Sequence, residues 1–349
     1  MLRATAFVLA TASTALLAQT AGAPDAFDPG QALGACHVSP IVANLDNSAK
    51  FYHELIGLGL YPEPKPGPLP WDTDPGHLDI HGTRGARLRF VGARMPGVWC
   101  GVELVEFGGI DRQAVKRGLQ DPGAVTMILL VRNLDAVVAR LNAARVPVVT
   151  TGGAPVAVGA ARTRAIIVQD PDGHFVELDQ PDPLPADSAQ PAGDVVGIRL
   201  RITVGALDPT LRMYRDQLGF RTQVRPFTND KTVAALMGLP ASEYRLAIAR
   251  VPLRLNSADI PVSTMQVEFI EFKGVERPLV RSRIQDPGSF RLFVNVGDIE
   301  SSVRLLRAGG SQVVSTGGGP VAMTFGRGQW RIAAVPDPNN LYLVLLQNP

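Results

Sequence analysis

Apolar residues recur along this chain in two rhythms. β-rich apolar runs fall at 34–44, 58–62, 86–93 and 98–107, and between the first two lies a stretch with helical spacing. There Phe51 and Leu55 share a face, Asp46 or Asn47 stands ready as a cap, and Gly57 supplies a stop, which predicts a helix over 47–56. The pattern then returns. Ala124 to Asn133 leads to Asp135, with Val138, Leu141 and Ala144 behind, then to runs at 146–150, 155–159 and 164–179. Val196 to Val204 leads to Asp208-Pro209, a cap with a proline at the first helical position, and Gly219 stops that helix. Phe290 to Val296 leads to Asp298, with Val303 and Leu306 behind and Gly309-Gly310 as stop. Each unit reads strand, helix, strand, strand, strand, so four βαβββ modules in the α+β class account for the chain.

A longer repeat overlies the modules. Val-Glu-Leu-Val-Glu-Phe at 102–107 returns as Val-Glu-Phe-Ile-Glu-Phe at 267–272, Gln-Asp-Pro-Gly at 120–123 returns at 285–288, and Thr-Gly-Gly at 151–153 returns at 316–318. Three pairs in one order at one spacing mean two copies of a domain. The expected division is 30–180 for the first copy, a Pro- and Asp-rich linker at 181–194, and 195–349 for the second. The duplication isolates function, because a polar residue present in only one copy is not required by folding alone. Copy one carries a Pro- and Gly-dense insertion at 62–85 holding Trp71, Asp72, His77 and His81. Its counterpart at 226–244 differs and carries a short helix near 231–237. Long loops of this kind are binding loops or surface excursions.

Composition narrows the setting. Arg3, an uncharged small and apolar run from Ala4 to Ala18, and Ala21-Gly22-Ala23 form a secretory signal with cleavage after Ala23. The mature protein is expected in the periplasm or outside the cell, with no membrane segment after cleavage. With 46% hydrophobic and 19% charged residues the rest is globular, and a net charge of +2 with scattered Lys and Arg offers nothing to nucleic acid. Cys36 and Cys100 leave open one disulfide or two buried thiols.

The residues Cys36-His37-Val38, Leu45-Asp46-Asn47-Ser48, Phe51-Tyr52, Gly57, Val102-Glu103-Leu104 and Asp170-Pro171-Asp172-Gly173-His174-Phe175-Val176-Glu177-Leu178 carry a resemblance. The chain resembles the vicinal oxygen chelate superfamily, which includes glyoxalase I, fosfomycin- and bleomycin-resistance proteins and extradiol dioxygenases. The resemblance implies two tandem glyoxalase-like domains with curved mixed sheets. It also implies a divalent metal (Zn, Ni, Mn or Fe) held by one side chain from the first strand and one from the last strand of each module. His37, Thr126, Arg199 and Arg291 fall at the first-strand positions; Glu103, Glu177, Glu268 and Val344 fall at the last-strand positions.

If modules one and two share a sheet, His37, Glu103 and Glu177 supply one nitrogen and at least two oxygens, leaving open positions for water or substrate. Thr126 is the departure from the family pattern. A neutral hydroxyl is a poor ligand for a divalent ion, so Thr126 belongs beside a metal-bound water, and the extradiol reading loses its second histidine. Trp71 joins Thr126 as a substrate-side candidate. Glu103 recurs as Glu268 in a copy without the histidine, which also fits a glutamate paired with arginine for the fold. Pairing of module one with four would instead set His37 and Glu103 against Arg291 and Val344, with no site keeping three ligands, so the residue pattern argues for pairing of one with two and of three with four. The reading in front is a metal-dependent lyase or isomerase on a small oxygenated molecule, with Glu103 or Glu177 as base. The competing reading is a metal-free protein that sequesters a small molecule, as bleomycin-resistance proteins do, with an aromatic cleft at Trp71 or Trp99.

Overall fold

The computed structural model describes residues 30–61, 67–94, 101–159, 163–184, 193–239, 242–251, 265–325 and 328–348. The expected signal sequence, Cys100 and Trp99 lie outside them, as does the side chain of Cys36.

All four expected modules form. Module one runs β1 (Ala32–Pro40), α1 (Leu45–Lys50, continued by a π-helical turn over Phe51–Ile56), β2 (Leu60–Tyr61), α2 (Pro75–Ile80), β3 (Arg87–Arg94) and β4 (Gly101–Gly108). Module two runs β5 (Val125–Val131), α3 (Leu134–Ala143), β6 (Val156–Val158), β7 (Thr163–Gln169) and β8 (Phe175–Gln180). In module three come β9 (Val195–Thr203), α4 (Leu207–Leu211, with a π-helical turn over Arg212–Gln217), β10 (Arg221–Val224), α5 (Lys231–Leu236), β11 (Glu243–Arg250) and β12 (Val267–Lys273). Module four closes the chain with β13 (Phe290–Val296), α6 (Ile299–Ala308), β14 (Val321–Phe325), β15 (Gly328–Pro336) and β16 (Tyr342–Gln347).

Local chemistry moves some boundaries. Helix α1 is capped by Asn44, whose side chain accepts from the Asn47 amide, so Asp46 lies inside the first turn. In module three the helix starts two residues before Pro209 and has no side-chain cap of its own; Glu271 accepts the Leu207 amide there, as Glu106 accepts that of Leu45. The apolar run at 164–179 is two strands, β7 and β8, split by the Asp170 to Gly173 turn with Gly173 at φ 86°. The run at 146–150 adds only an isolated bridge, Val148 to Val168.

The pairing of modules differs from the expected one. One eight-stranded sheet has the order β14-β15-β16-β13-β1-β4-β3-β2, the other β10-β11-β12-β9-β5-β8-β7-β6. Modules one and four share the first sheet, and modules two and three the second. Strand β1 runs antiparallel to β13, with His37 opposite Phe293 and Ser39 opposite Arg291. Strand β5 runs antiparallel to β9, with Thr126 opposite Arg201 and Ile128 opposite Arg199. The nine-residue strands β1 and β9 thus satisfy their backbone groups along most of their length with antiparallel partners from the other half of the chain.

Helices pack on one face of the sheets through a large core that includes Tyr52, Leu134, Tyr214 and Phe269. On the other face of the first sheet, here the inner face, α2 lies across β14 and β15 of module four. Its Leu78 packs with Ile41, Val105 and Phe107, and its Ile80 with Ile332, Tyr342 and Val344. The insertion of module one is therefore bound to the other end of the chain. Helix α5 is placed likewise on β6 and β7.

The repeated Gln-Asp-Pro-Gly turn has a reason in this packing. Gly123 and Gly288 sit at φ 84° and 90°, and a Cβ on either would stand 2.2 Å from a backbone oxygen, of Asn339 or Val115. Gly152 has φ 82° with nothing within 4 Å of a Cβ. Gly152→Ala is expected to lower the unfolding free energy by about 1 kcal/mol, the usual cost of a left-handed alanine. Gly123→Ala is expected to lose at least about twice that, because a backbone carbonyl must also move. Equal losses by chemical denaturation would contradict this packing.

Candidate functional site

The inner face of the first sheet gathers the first group. Strand alternation puts His37 and Ser39 of β1, Glu103 of β4 and Arg291 of β13 on one side. Two hydrogen bonds and one longer contact converge on one oxygen, Glu103 Oε2. Ser39 Oγ donates at 3.0 Å, an Arg291 amino group donates at 3.2 Å, and His37 Nε2 stands 3.7 Å away at ion-pair distance. The His37 ring packs edge-on against Phe293 at 4.7 Å. Arg291 is buried at 3% exposure, whereas the side chains of His37 and Glu103 keep 25% and 22%, so solvent reaches the pair from above the guanidinium.

Helix α2 adds His81, which the sequence offered only as part of an insertion. His81 Nδ1 bonds the His77 carbonyl oxygen at 2.8 Å, which leaves Nε2 to accept from the other Arg291 amino group. Burial, reinforced by Arg291, pushes the His81 pKa well down, in keeping with a neutral acceptor. Burial also lowers Arg291, to about 10. For Glu103 burial alone would raise the pKa, but His37 and Arg291 outweigh it and hold the carboxyl at about 2.

Glu177 lies elsewhere. It is on β8 of the second sheet, so His37, Glu103 and Glu177 do not form the expected ligand set; the exchange of modules between sheets separates them. Glu177 belongs to a second ionic group. Arg201 bonds Glu177 at 2.5 Å and Glu268 at 3.0 Å, and Arg199 bonds Asp179 at 2.5 Å. The acid side chains are almost closed to solvent, at 3% for Glu177, 3% for Asp179 and 8% for Glu268. Thr126 stands opposite Arg201 on β5, buried beside this group rather than beside His37. Burial first, then the charge of Glu177, pushes Asp179 up to about 8 against the pull of Arg199 and Arg201. Glu268, drawn by both arginines, shifts down despite burial.

Other candidates also change place. Trp71 stacks under the guanidiniums of Arg87 and Arg89, at 4.4 and 5.0 Å. Arg89 bonds Glu106, which has the opposite parity to Glu103, so Trp71 is on the helix face and away from the site. Glu106 and Glu271 are buried and paired with Arg89 and Arg245. His174, in the turn before β8, is buried with Nε2 3.2 Å from the Ile41 carbonyl oxygen.

The donor sets do not fit a divalent ion. The family's four positions hold His37, Glu103, Arg291 and Val344 in the first sheet, which is two donors, a fixed cation and an alkyl group. In the second they hold Thr126, Glu177, Arg199 and Glu268, and Arg201 already bridges the two carboxylates. Among the described residues no three His, Cys, Asp or Glu side chains are arranged to hold a metal.

The Asp179 shift sets a pH dependence. A carboxyl raised from its ordinary range to about 8 keeps a proton in the folded protein that the unfolded chain has lost. Its contribution is therefore favourable at low pH and is lost as pH rises from about 4 to about 8. Asp179→Asn is expected to flatten that part of the stability profile measured by urea unfolding. A variant profile that still falls as steeply as wild type would remove Asp179 as the cause.

No protein-family model and no curated protein matches the chain. Solved structures do. Glyoxalase I from Zea mays aligns over 91% of this chain and 92% of its own, with 18% identity and a TM-score of 0.54. A putative dioxygenase from Bacillus subtilis subsp. subtilis str. 168 aligns over 91% and 86%, with 14% identity and a TM-score of 0.50. At such identities the likeness speaks to architecture alone, and with the two mixed sheets, one curled into a half-barrel, it establishes that this chain has a glyoxalase-like fold.

Proposed function

We propose that the mature protein is an exported small-molecule binding protein, and that its site is the inner face of the first sheet, working without a divalent ion. The observation that carries the reading is the Glu103 carboxylate, already neutralised by a buried guanidinium and held at about 2. A base so weak is ill matched to abstracting a proton near neutral pH. Glu177, the other candidate base, is closed in by Arg201. The lyase or isomerase reading thus lacks both its ligand set and its base. A carboxylate fixed in the ionised state remains a strong acceptor for a ligand O–H or N–H. Around it stand the half-exposed His37 ring, Phe293 and, on the same face of β3, Phe90 at 36% exposure. Such a mixture suits a small oxygenated molecule with an apolar side. The export half of the reading rests on the N-terminal sequence alone.

The test is a panel of small phenols and hydroxycarbonyl compounds scored by thermal shift and titration calorimetry. Binders are expected to be insensitive to EDTA, and Glu103→Gln and His37→Ala to weaken them about tenfold or more, the usual scale for losing a charge-assisted hydrogen bond. Binding or turnover that EDTA abolishes would contradict the reading. Expressed with its own N-terminus in a Gram-negative host, the periplasmic protein is expected to begin at Pro24; retention of the intact N-terminus in the cytoplasm would remove export.

A further inference from the structure

We infer that Arg291 is a resident cation: its guanidinium takes the place a divalent ion would need on the inner face, and one substitution at this position opens a metal site built from residue 291, His37 and Glu103. The inference rests on the metal-independent reading above.

Register supports it first. In β1 and β13, His37 is opposite Phe293 and Ser39 opposite Arg291. His37 and residue 291 are therefore diagonal neighbours on one face, a spacing that long side chains bridge. Their side chains already meet at Glu103 Oε2, Arg291 from 3.2 Å and His37 from 3.7 Å. A cation contributed by the chain thus sits against the carboxylate that would otherwise be one ligand, on the same oxygen that the His37 imidazole approaches. The cation is also held in place: His81 from α2 fixes one amino group and Glu103 the other, while Nε–H is buried without a partner.

The second sheet repeats the outcome by another route. Arg201 lies between Glu177 and Glu268, the two acidic residues at its last-strand positions. Arg201 is two residues from Arg199, which occupies the first-strand position there. Two centres reach the same charge balance from non-equivalent positions, as expected if what matters is a positive charge in that place.

Position 291 is the one where a ligand side chain would complete a set of three. A histidine there offers nitrogen, a glutamate offers oxygen, and both suit zinc or nickel beside His37 and Glu103. The experiment compares wild type, Arg291→His, Arg291→Glu and Arg291→Gln, each dialysed against zinc and analysed by inductively coupled plasma mass spectrometry, with folding followed by circular dichroism. Wild type and Arg291→Gln are expected to retain no stoichiometric zinc. Arg291→His or Arg291→Glu is expected to retain about one ion per chain, lost again when His37→Ala is added. Folded Arg291→His and Arg291→Glu proteins with no more zinc than wild type would overturn the inference. So would failure of both to fold with zinc present, since the ion is meant to replace the guanidinium. Stoichiometric metal in wild type that His37→Ala removes would instead sink the metal-independent reading itself.

Discussion

The antiparallel pairing of β1 with β13 and of β5 with β9 is the constraint on which everything else depends. It decides which side chains share a face. His37 and Glu103 meet Arg291 because β1 lies between β13 and β4, and Glu177 meets Arg201 because β8 is next to β5, which pairs with β9. Had each half of the chain closed its own sheet, the same residues would have made different neighbours. The chemistry of the site is in that sense a consequence of backbone hydrogen bonding.

Given that pairing, buried charge must be satisfied locally. Removing an ionised group from water is costly unless a partner of opposite sign is in contact. The first sheet answers with one carboxylate, one guanidinium and a neutral imidazole acceptor; the second with two arginines and three acids, one of them raised far enough to keep its proton. Glu106 and Glu271 do the corresponding work on the helix face, each accepting both an arginine and the first amide of a helix. The repeated Val-Glu-x-x-Glu-Phe segment is explained by these two jobs. Its first glutamate meets an inner-face arginine and its second ties the sheet to α1 or α4.

Much of this architecture was legible in the chain. Apolar periodicity and caps located the four module helices α1, α3, α4 and α6, the insertion of module three suggested α5, and the repeated motifs gave four modules. The segment around Asp170 to Leu178 pointed to the fold. Legibility ended where long-range pairing begins. Two pairings of four similar modules satisfy the same local patterns, and the choice between them rests on strand partners some 250 residues apart, as with Ser39 and Arg291. His81 was invisible as a site residue because α2 comes from a Pro-rich insertion whose docking on β14 and β15 has no local signature. Arg201 has no signature in the sequence, because the family pattern falls on Arg199 two residues earlier. Thr126, expected beside a metal-bound water near His37, stands in the other sheet opposite Arg201. The one early signal for the actual arrangement was Glu268, a glutamate repeated in a copy without the histidine.

The identity of the residue beside Glu103 therefore decides the arrangement. A double-mutant cycle in urea unfolding addresses this directly, with Glu103→Gln and Arg291→Gln in one cycle and Glu103→Gln and Glu177→Gln in another. Residues in one ionic network couple by about 0.5–3 kcal/mol, whereas distant sites are additive. The predicted result is clear coupling between Glu103 and Arg291 and additivity between Glu103 and Glu177. Coupling of the two glutamates, with Glu103 and Arg291 additive, would contradict the pairing of modules and the site built on it.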